Sequence, residues 1–170
     1  AAAAAWPDDF YNDPTFPKKP QGVNFGKSIL NYGPDSDKFR DEITGEVKDA
    51  SELGVGMRTF TPHSSPLGLV IDDEQSLPGR FKGKALVARY TNGQKSALLQ
   101  ALTENGEDLL LLDLKYLPKE ENFQLNTYRV AKGFNQPVDA ILVGGFLYLV
   151  EYGGKQQGGN IWKISFNSDE

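Results

Sequence analysis

The chain has 170 residues, no cysteine and a net charge of −5 at pH 7. Its length favours one domain with its own core, and the lack of cysteine excludes a disulfide framework or a Cys-ligated metal. The acidic balance argues against nucleic-acid or anionic-membrane partners, which bind concentrated basic surfaces. No membrane span is expected, because the longest apolar run, residues 109–112, is far shorter than the roughly 20 residues that a spanning helix needs.

Residues 1–60 are predicted to form an irregular, loop-rich segment. They are dense in Asp, Asn, Gly and Pro, and the best alternating apolar run among them covers only residues 28–31. Aromatic residues such as Trp6 and Phe25 give this segment apolar anchors, which a disordered tail lacks. We therefore expect it to pack on the surface of a larger body.

Residues 61–170 are predicted to form propeller blades, and the fold class is therefore all-β. With 18 glycines and 10 prolines in the chain, short runs of β-branched, aromatic and leucine residues alternate with turn residues, which is the pattern of antiparallel strands. We expect one four-stranded meander over residues 66–134 and three strands of the next over 137–167. The seven runs lie at residues 67–71, 84–90, 108–115, 126–130, 137–143, 146–152 and 160–166.

The second meander begins like the first. The stretch that follows Pro66 corresponds to the stretch that follows Pro137, and residues 85–90 correspond to residues 146–152, which indicates a weak repeat of about 70 residues. Two blades cannot close a ring, since propellers typically have four to eight blades. We expect the remaining blades, or a partner chain, to complete the structure; the alternative is an open body of two sheets.

Several blocks of this region resemble one known family. The sequence TPHSSPLG at residues 61–68, together with residues 77–88, 133–139 and 159–164, is similar in order and spacing to the last third of the soluble quinoprotein glucose/sorbosone dehydrogenases. The resemblance implies a larger six-bladed propeller that oxidises a sugar hydroxyl or aldehyde. It also implies pyrroloquinoline quinone (PQQ) and Ca²⁺ as cofactors, and a secreted or periplasmic location.

The resemblance implies three cofactor-binding residues here, His63, Arg89 and Gln136. His63 lies in a Pro/Ser-rich loop, where it could line the quinone pocket or cap a turn. Arg89 ends a strand, where its guanidinium could hold a quinone carboxylate or lie in solvent. Gln136 stands where the family's Arg-Pro-x-Asp signature has a cation, a departure that weakens the case for quinone binding. The family's catalytic His lies in earlier blades, so no catalytic residue is assigned in this chain.

A metal site is predicted near the start of the chain. Pro7 and Asp8 belong to an acidic turn whose carboxylate and carbonyl oxygens could bind Ca²⁺, although a solvated turn would have the same sequence. Two functions follow from these observations. The chain is part of a PQQ-dependent sugar dehydrogenase, or it belongs to a non-catalytic extracellular propeller that acts as a binding or assembly module.

Overall fold

The computed structural model describes residues 14–15, 18, 21–22, 27–62, 64–91, 106–154 and 158–168. The protein is all-β, with its strands arranged in several sheets. The predicted all-β fold class is therefore confirmed. The described residues form no closed barrel or propeller.

The first sheet contains the predicted four-stranded meander. Strands β4 (Ser65–Ile71), β5 (Ala85–Tyr90), β6 (Asp108–Leu117) and β7 (Asn122–Lys132) are neighbours in chain order, and each pairs antiparallel with the next. A 3-10 turn, Gly79–Phe81, lies between β4 and β5. The alternation of apolar residues was a sufficient signal here, because each strand buries at least part of one face.

The segment predicted to be irregular contributes three strands, so that prediction was wrong in part. Strand β1 (Leu30–Pro34) pairs parallel with β7, and β2 (Lys38–Arg40) pairs antiparallel with β3 (Val47–Asp49). Polar contacts hold β1 in place: the buried Asn31 side chain accepts a hydrogen bond from the Thr127 hydroxyl at 3.0 Å. An apolar pattern cannot reveal a strand that is fixed in this way.

The second sheet is the predicted three-stranded meander. Strands β8 (Pro137–Val143), β9 (Phe146–Glu151) and β10 (Ile161–Ile164) pair antiparallel in the order β10-β9-β8. Gly144 and Gly145 connect β8 to β9 as a two-residue turn, and both have positive φ. Such a turn matches the natural twist of an antiparallel hairpin.

The first two strands of each meander pair in equivalent registers. Pro66 is opposite Arg89 in one hairpin, and Pro137 is opposite Glu151 in the other. Further along, the Val70–Leu86 pair corresponds to the Ile141–Tyr148 pair. Each hairpin also has an irregularity near the start of its first strand. The repeat expected from the sequence is therefore present in the strand pairing.

The two sheets pack face to face around the main core. Gly68 lies where β4 approaches β8 most closely, since a Cβ built there would be 2.8 Å from the Asp139 and Ala140 backbones. The buried residues of this core come from both sheets and from the loops beside them: Leu77, Phe81, Leu86, Ala88, Leu109, Leu111, Phe134, Leu147 and Leu149.

A smaller core lies on the opposite face of the first sheet. Its buried members are Ala85, Val87, Leu110 and Leu112, and the partly buried Phe60 and Leu125 pack against them. Phe60 belongs to the segment predicted to rest on the sheets, so the first sheet has apolar contacts on both faces.

Candidate functional site at the polar end of the sheets

Polar residues collect at one end of the two sheets. Because the strands of each meander alternate in direction, the starts of β4, β6 and β8 lie at the same end as the last residues of β5, β7 and β9. We call this the polar end. Arg89 is the penultimate residue of β5 and Gln136 immediately precedes β8, so both predicted cofactor residues are at this end. His63, Pro7 and Asp8 lie outside the described residues.

Arg89 is held inside the protein. Its side chain is 0% exposed, and its guanidinium donates to both carboxylate oxygens of Asp108, with Nε 2.8 Å from Oδ1. It also donates to the Ser64 hydroxyl at 3.1 Å and to the Ser36 hydroxyl. Because a charge removed from water must be paired, these contacts explain how arginine is accommodated at a fully buried position.

A second arginine extends this network. Arg129 Nε donates to Asp108 Oδ2 at 2.6 Å, and the Arg129 backbone N–H donates to Asp35 at 2.8 Å. Asp108 thus accepts hydrogen bonds from two arginines, and Asp35 supplies a second carboxylate to the network. The network ties the loop that follows β1 to the polar ends of β5, β6 and β7, which is a structural function.

The second hairpin carries a buried carboxylate at the same end. Glu151 is 4% exposed. One of its oxygens accepts from the Asn135 backbone N–H at 2.6 Å, and the other accepts from the Asn160 amide at 2.9 Å. Hydrogen bonds from neutral donors stabilise the charged carboxylate without a cation.

A second carboxylate, Glu107, lies close to Glu151. Burial and, secondly, the Glu151 charge raise the pKa of Glu107 above its ordinary value of 4.5. The Glu107 carbonyl accepts hydrogen bonds from the backbone N–H groups of Gly133 and Phe134, at 3.0 and 3.2 Å. These bonds place Glu107 between the end of β7 and the loop that leads to β8.

Gln136 has two unusual features in that loop. Its backbone is left-handed, with φ of 57°, although it is not glycine. Its side-chain carbonyl oxygen is enclosed and has no hydrogen-bond partner in the described structure. The Gln136 backbone carbonyl accepts from Tyr152 N–H at 2.9 Å, which fastens the β7–β8 loop to the end of β9.

Of these residues, Gln136 was predicted from the sequence, whereas Glu107, Asp108 and Glu151 were not. Asp108 begins β6 and Glu151 ends β9, and a charge directly beside a run of apolar residues was the available signal. Asp139 lies in β8, where its carboxylate accepts from the Ala140 backbone N–H at 2.8 Å.

The described residues do not fit PQQ as predicted. A quinone carboxylate needs a free cation, whereas the Arg89 guanidinium is buried against Asp108, and Gln136 is neutral. Among the residues that the structure describes, no group of three His, Cys, Asp or Glu side chains is placed to hold a metal ion. The Ca²⁺ ligands predicted at Pro7 and Asp8 stay a prediction.

Comparisons with family models, curated proteins and solved structures find no match to this chain. In the described part of the chain, no helix is both long and apolar enough to cross a membrane.

Proposed function

We propose that the chain supplies two consecutive blades of a β-propeller and acts as a binding module whose ligand enters at the polar end. The equivalent registers of the two hairpins support the blade assignment. The close approach of β4 and β8 supports it too, because propeller blades pack face to face with their first strands grouped around a central channel.

The observation that carries the ligand site is the unpaired Gln136 carbonyl. Buried polar atoms are nearly always hydrogen-bonded, and leaving one unpaired costs about 1–3 kcal/mol. Strained backbone of the kind seen at Gln136 clusters at ligand sites. The unpaired oxygen is explained if a ligand hydroxyl donates to it.

The surrounding groups favour a polyhydroxylated ligand, and we infer a sugar. The Glu107 and Glu151 carboxylates accept hydrogen bonds, and the Asn135 and Asn160 amides can both donate and accept. A sugar hydroxyl can also do both. A small cation is the less favoured ligand, because Glu151 is already bonded to neutral donors through both of its oxygens.

Calorimetric titration with a panel of aldoses tests this proposal. We expect one or more aldoses to bind, and Gln136→Leu to weaken that binding roughly tenfold, as for the loss of one hydrogen bond. Gln75→Leu is the matched control, because Gln75 also has a left-handed backbone but lies in the β4–β5 loop at the opposite end of the sheet. Equal losses in the two variants, or no aldose binding by the unaltered protein, would contradict the proposal.

The second candidate is part of a PQQ-dependent sugar dehydrogenase. It is favoured by the common location of Arg89 and Gln136 at the polar end, where the resemblance requires them, and it is disfavoured by the internal pairing of Arg89. The protein can be incubated with PQQ and Ca²⁺ and assayed for quinone binding and for aldose-dependent dye reduction. Binding with turnover would support the dehydrogenase, and absence of quinone binding would leave the binding module.

A further inference from the structure

The second sheet has a largely apolar face that the described residues leave partly exposed, although Lys163 lies on the same face with its Nζ 3.9 Å from the centre of the Phe146 ring. Ile141 is 60% exposed and Ile161 is 72% exposed, although both lie inside strands with apolar neighbours. The strand registers place one set of side chains on this side of the sheet. We call it the open face, formed by Ile141, Val143, Phe146, Tyr148, Val150 and Ile161.

The open face has a buried equivalent in the first sheet. Since the Val70–Leu86 pair corresponds to the Ile141–Tyr148 pair, and Arg89 corresponds to Glu151, Ala88 corresponds to Val150. Val70, Leu86 and Ala88 all belong to the core between the two sheets. The face of the first sheet that matches the open face is therefore the one that β8–β10 covers.

The residues of the second sheet that cover this face also have equivalents in the first sheet. Leu147 and Leu149, each 0% exposed, project from β9 into the core against the first sheet. Their counterparts in β5 are Ala85 and Val87. These are already buried within the chain, in the smaller core with Phe60 and Leu125. In a second copy of this chain, these two positions are therefore not available to repeat the packing, although Leu69 and Ile71 on the same face are 61% and 60% exposed.

We propose that the open face binds a further antiparallel β-meander, which presents aliphatic side chains in the manner of Leu147 and Leu149. This inference rests on the proposed propeller architecture and names the partner that the architecture requires. The new meander packs on β8–β10 as β8–β10 packs on β4–β7. The interface is head-to-tail, because opposite faces of successive sheets meet.

The edge strand of the second sheet also favours a further meander as the partner. Among the residues that the structure describes, the second sheet has three strands where the first meander has four, and β10 is its edge strand. A polypeptide that continued into another meander would first supply the fourth strand beside β10, as β7 does beside β6 before the chain enters β8.

The test extends the chain with a second copy of residues 118–168, joined after residue 168. The added copy supplies an equivalent of β7 and then a complete β8–β10 meander. Because the protein has no cysteine, Ile161→Cys in the original part gives a single thiol for a maleimide probe. We expect the extension to slow its labelling roughly tenfold or more, since reaction then requires the interface to open.

Two controls accompany this measurement. Ile43→Cys, at a position that is 96% exposed between β2 and β3, should label equally fast with and without the extension. An extension carrying Leu147→Lys and Leu149→Lys in the added copy alone should not protect Cys at position 161. Urea unfolding of the two extended chains gives a second readout, with a higher midpoint expected for the unaltered extension.

Three results would overturn the inference. The first is equal labelling of the thiol at position 161 with and without the extension. The second is protection of this thiol by the extension that carries the two lysines. The third is protection of this thiol in the 170-residue chain that disappears when the protein is diluted. The last would identify a second copy as the occupant. The aldose titration does not depend on the open face, so its failure and the failure of this inference can be told apart.

Discussion

Arg89 and Glu151 occupy equivalent positions in the two hairpins, yet their surroundings differ. Each is opposite a proline at the polar end, and their exposed fractions are 0% and 4%. Arg89 is neutralised by Asp108 and belongs to a network that includes Arg129. Within the described residues, the donors to Glu151 are the neutral Asn135 N–H and Asn160 amide, and the Glu151 charge acts on Glu107.

The difference separates a structural site from a candidate binding site on the same scaffold. Arg89 has a full set of protein partners, so it stabilises the fold and has no free donor pair for a ligand carboxylate. The second hairpin contributes the Gln136 carbonyl, which has no partner in the described structure, and Glu151, whose charge raises the pKa of Glu107. Groups with perturbed pKa values and unmet hydrogen bonds are typical of functional sites.

The largest expected effect comes from breaking the network of the first hairpin. Asp108→Asn leaves the Arg89 guanidinium buried without its anion, and we expect a loss of about 3–5 kcal/mol in the free energy of unfolding. Asp113→Asn is the control on the same strand, because the Lys84–Asp113 pair is partly exposed and should contribute less than about 1 kcal/mol. Urea unfolding measures both losses of stability. Similar values would show that the buried network contributes no more to stability than the exposed pair.

The next effect concerns the junction between the two hairpins. Gly68→Ala forces a left-handed alanine and places its Cβ 2.8 Å from the β8 backbone, so we expect a loss of about 2–4 kcal/mol. Gly144→Ala imposes the same backbone strain in open space and should cost about 1–2 kcal/mol. The difference between their thermal unfolding midpoints isolates the sheet-to-sheet contact. Equal shifts would mean that β4 and β8 are not closely packed.

A third comparison uses the turns of the hairpins. The β4–β5 loop is long and is held by Asp72, whose carboxylate accepts from the Ser76, Leu77 and Gly83 N–H groups at 2.8–3.1 Å. Asp72→Ala leaves these donors without a partner and should cost about 2 kcal/mol, whereas the exposed neighbour Asp73→Ala should cost about 0.5 kcal/mol or less. The Gly144–Gly145 turn has no such anchor to lose.

The pH dependence of Asp72 follows from the same contacts. Burial opposes its charge, but the backbone N–H groups of Gly83, Leu77 and Ser76 together outweigh burial and lower the Asp72 pKa below its ordinary 3.8. A lowered pKa means that this stabilisation is present above pH 3.8 and is lost as the pH falls through the folded-state value. The stability difference between Asp72→Ala and the unaltered protein should therefore shrink below pH 4. A constant difference would contradict this.

The smallest expected effect is the change in stability when the Glu107 carboxylate is removed. Because its pKa is raised in the folded protein, ionisation of Glu107 lowers stability as the pH rises from the unfolded value of 4.5 through the folded value. Glu107→Gln should therefore be more stable than the unaltered protein at pH 7, by about 0.5 kcal/mol. The exposed Glu120→Gln should be neutral. A stability gain that is the same at pH 4 and pH 7 would argue against a raised pKa of Glu107.

Local patterns predicted most of the strands. Period-2 alternation and glycine turns are properties of a few consecutive residues, so the four strands of the first meander and the three of the second were accessible from the sequence. The structure gives equivalent registers to the two units of the repeat that begins at Pro66 and Pro137. Strand β1 was not accessible, since its place depends on hydrogen bonds between Asn31 and Thr127, residues far apart in the chain.

The residues of the candidate site were likewise predictable in their local positions but not in their contacts. The sequence by itself determined that polar residues such as Arg89, Gln136 and Glu151 end apolar strands or begin turns, because strand period and turn chemistry are local. Only the tertiary structure decided that Arg89 meets Asp108 and Ser36, while Glu151 meets Asn135 and has Glu107 nearby. The reason is physical: the cost of a buried charge depends on which groups surround it, and distant segments bring those groups together only when the sheets pack.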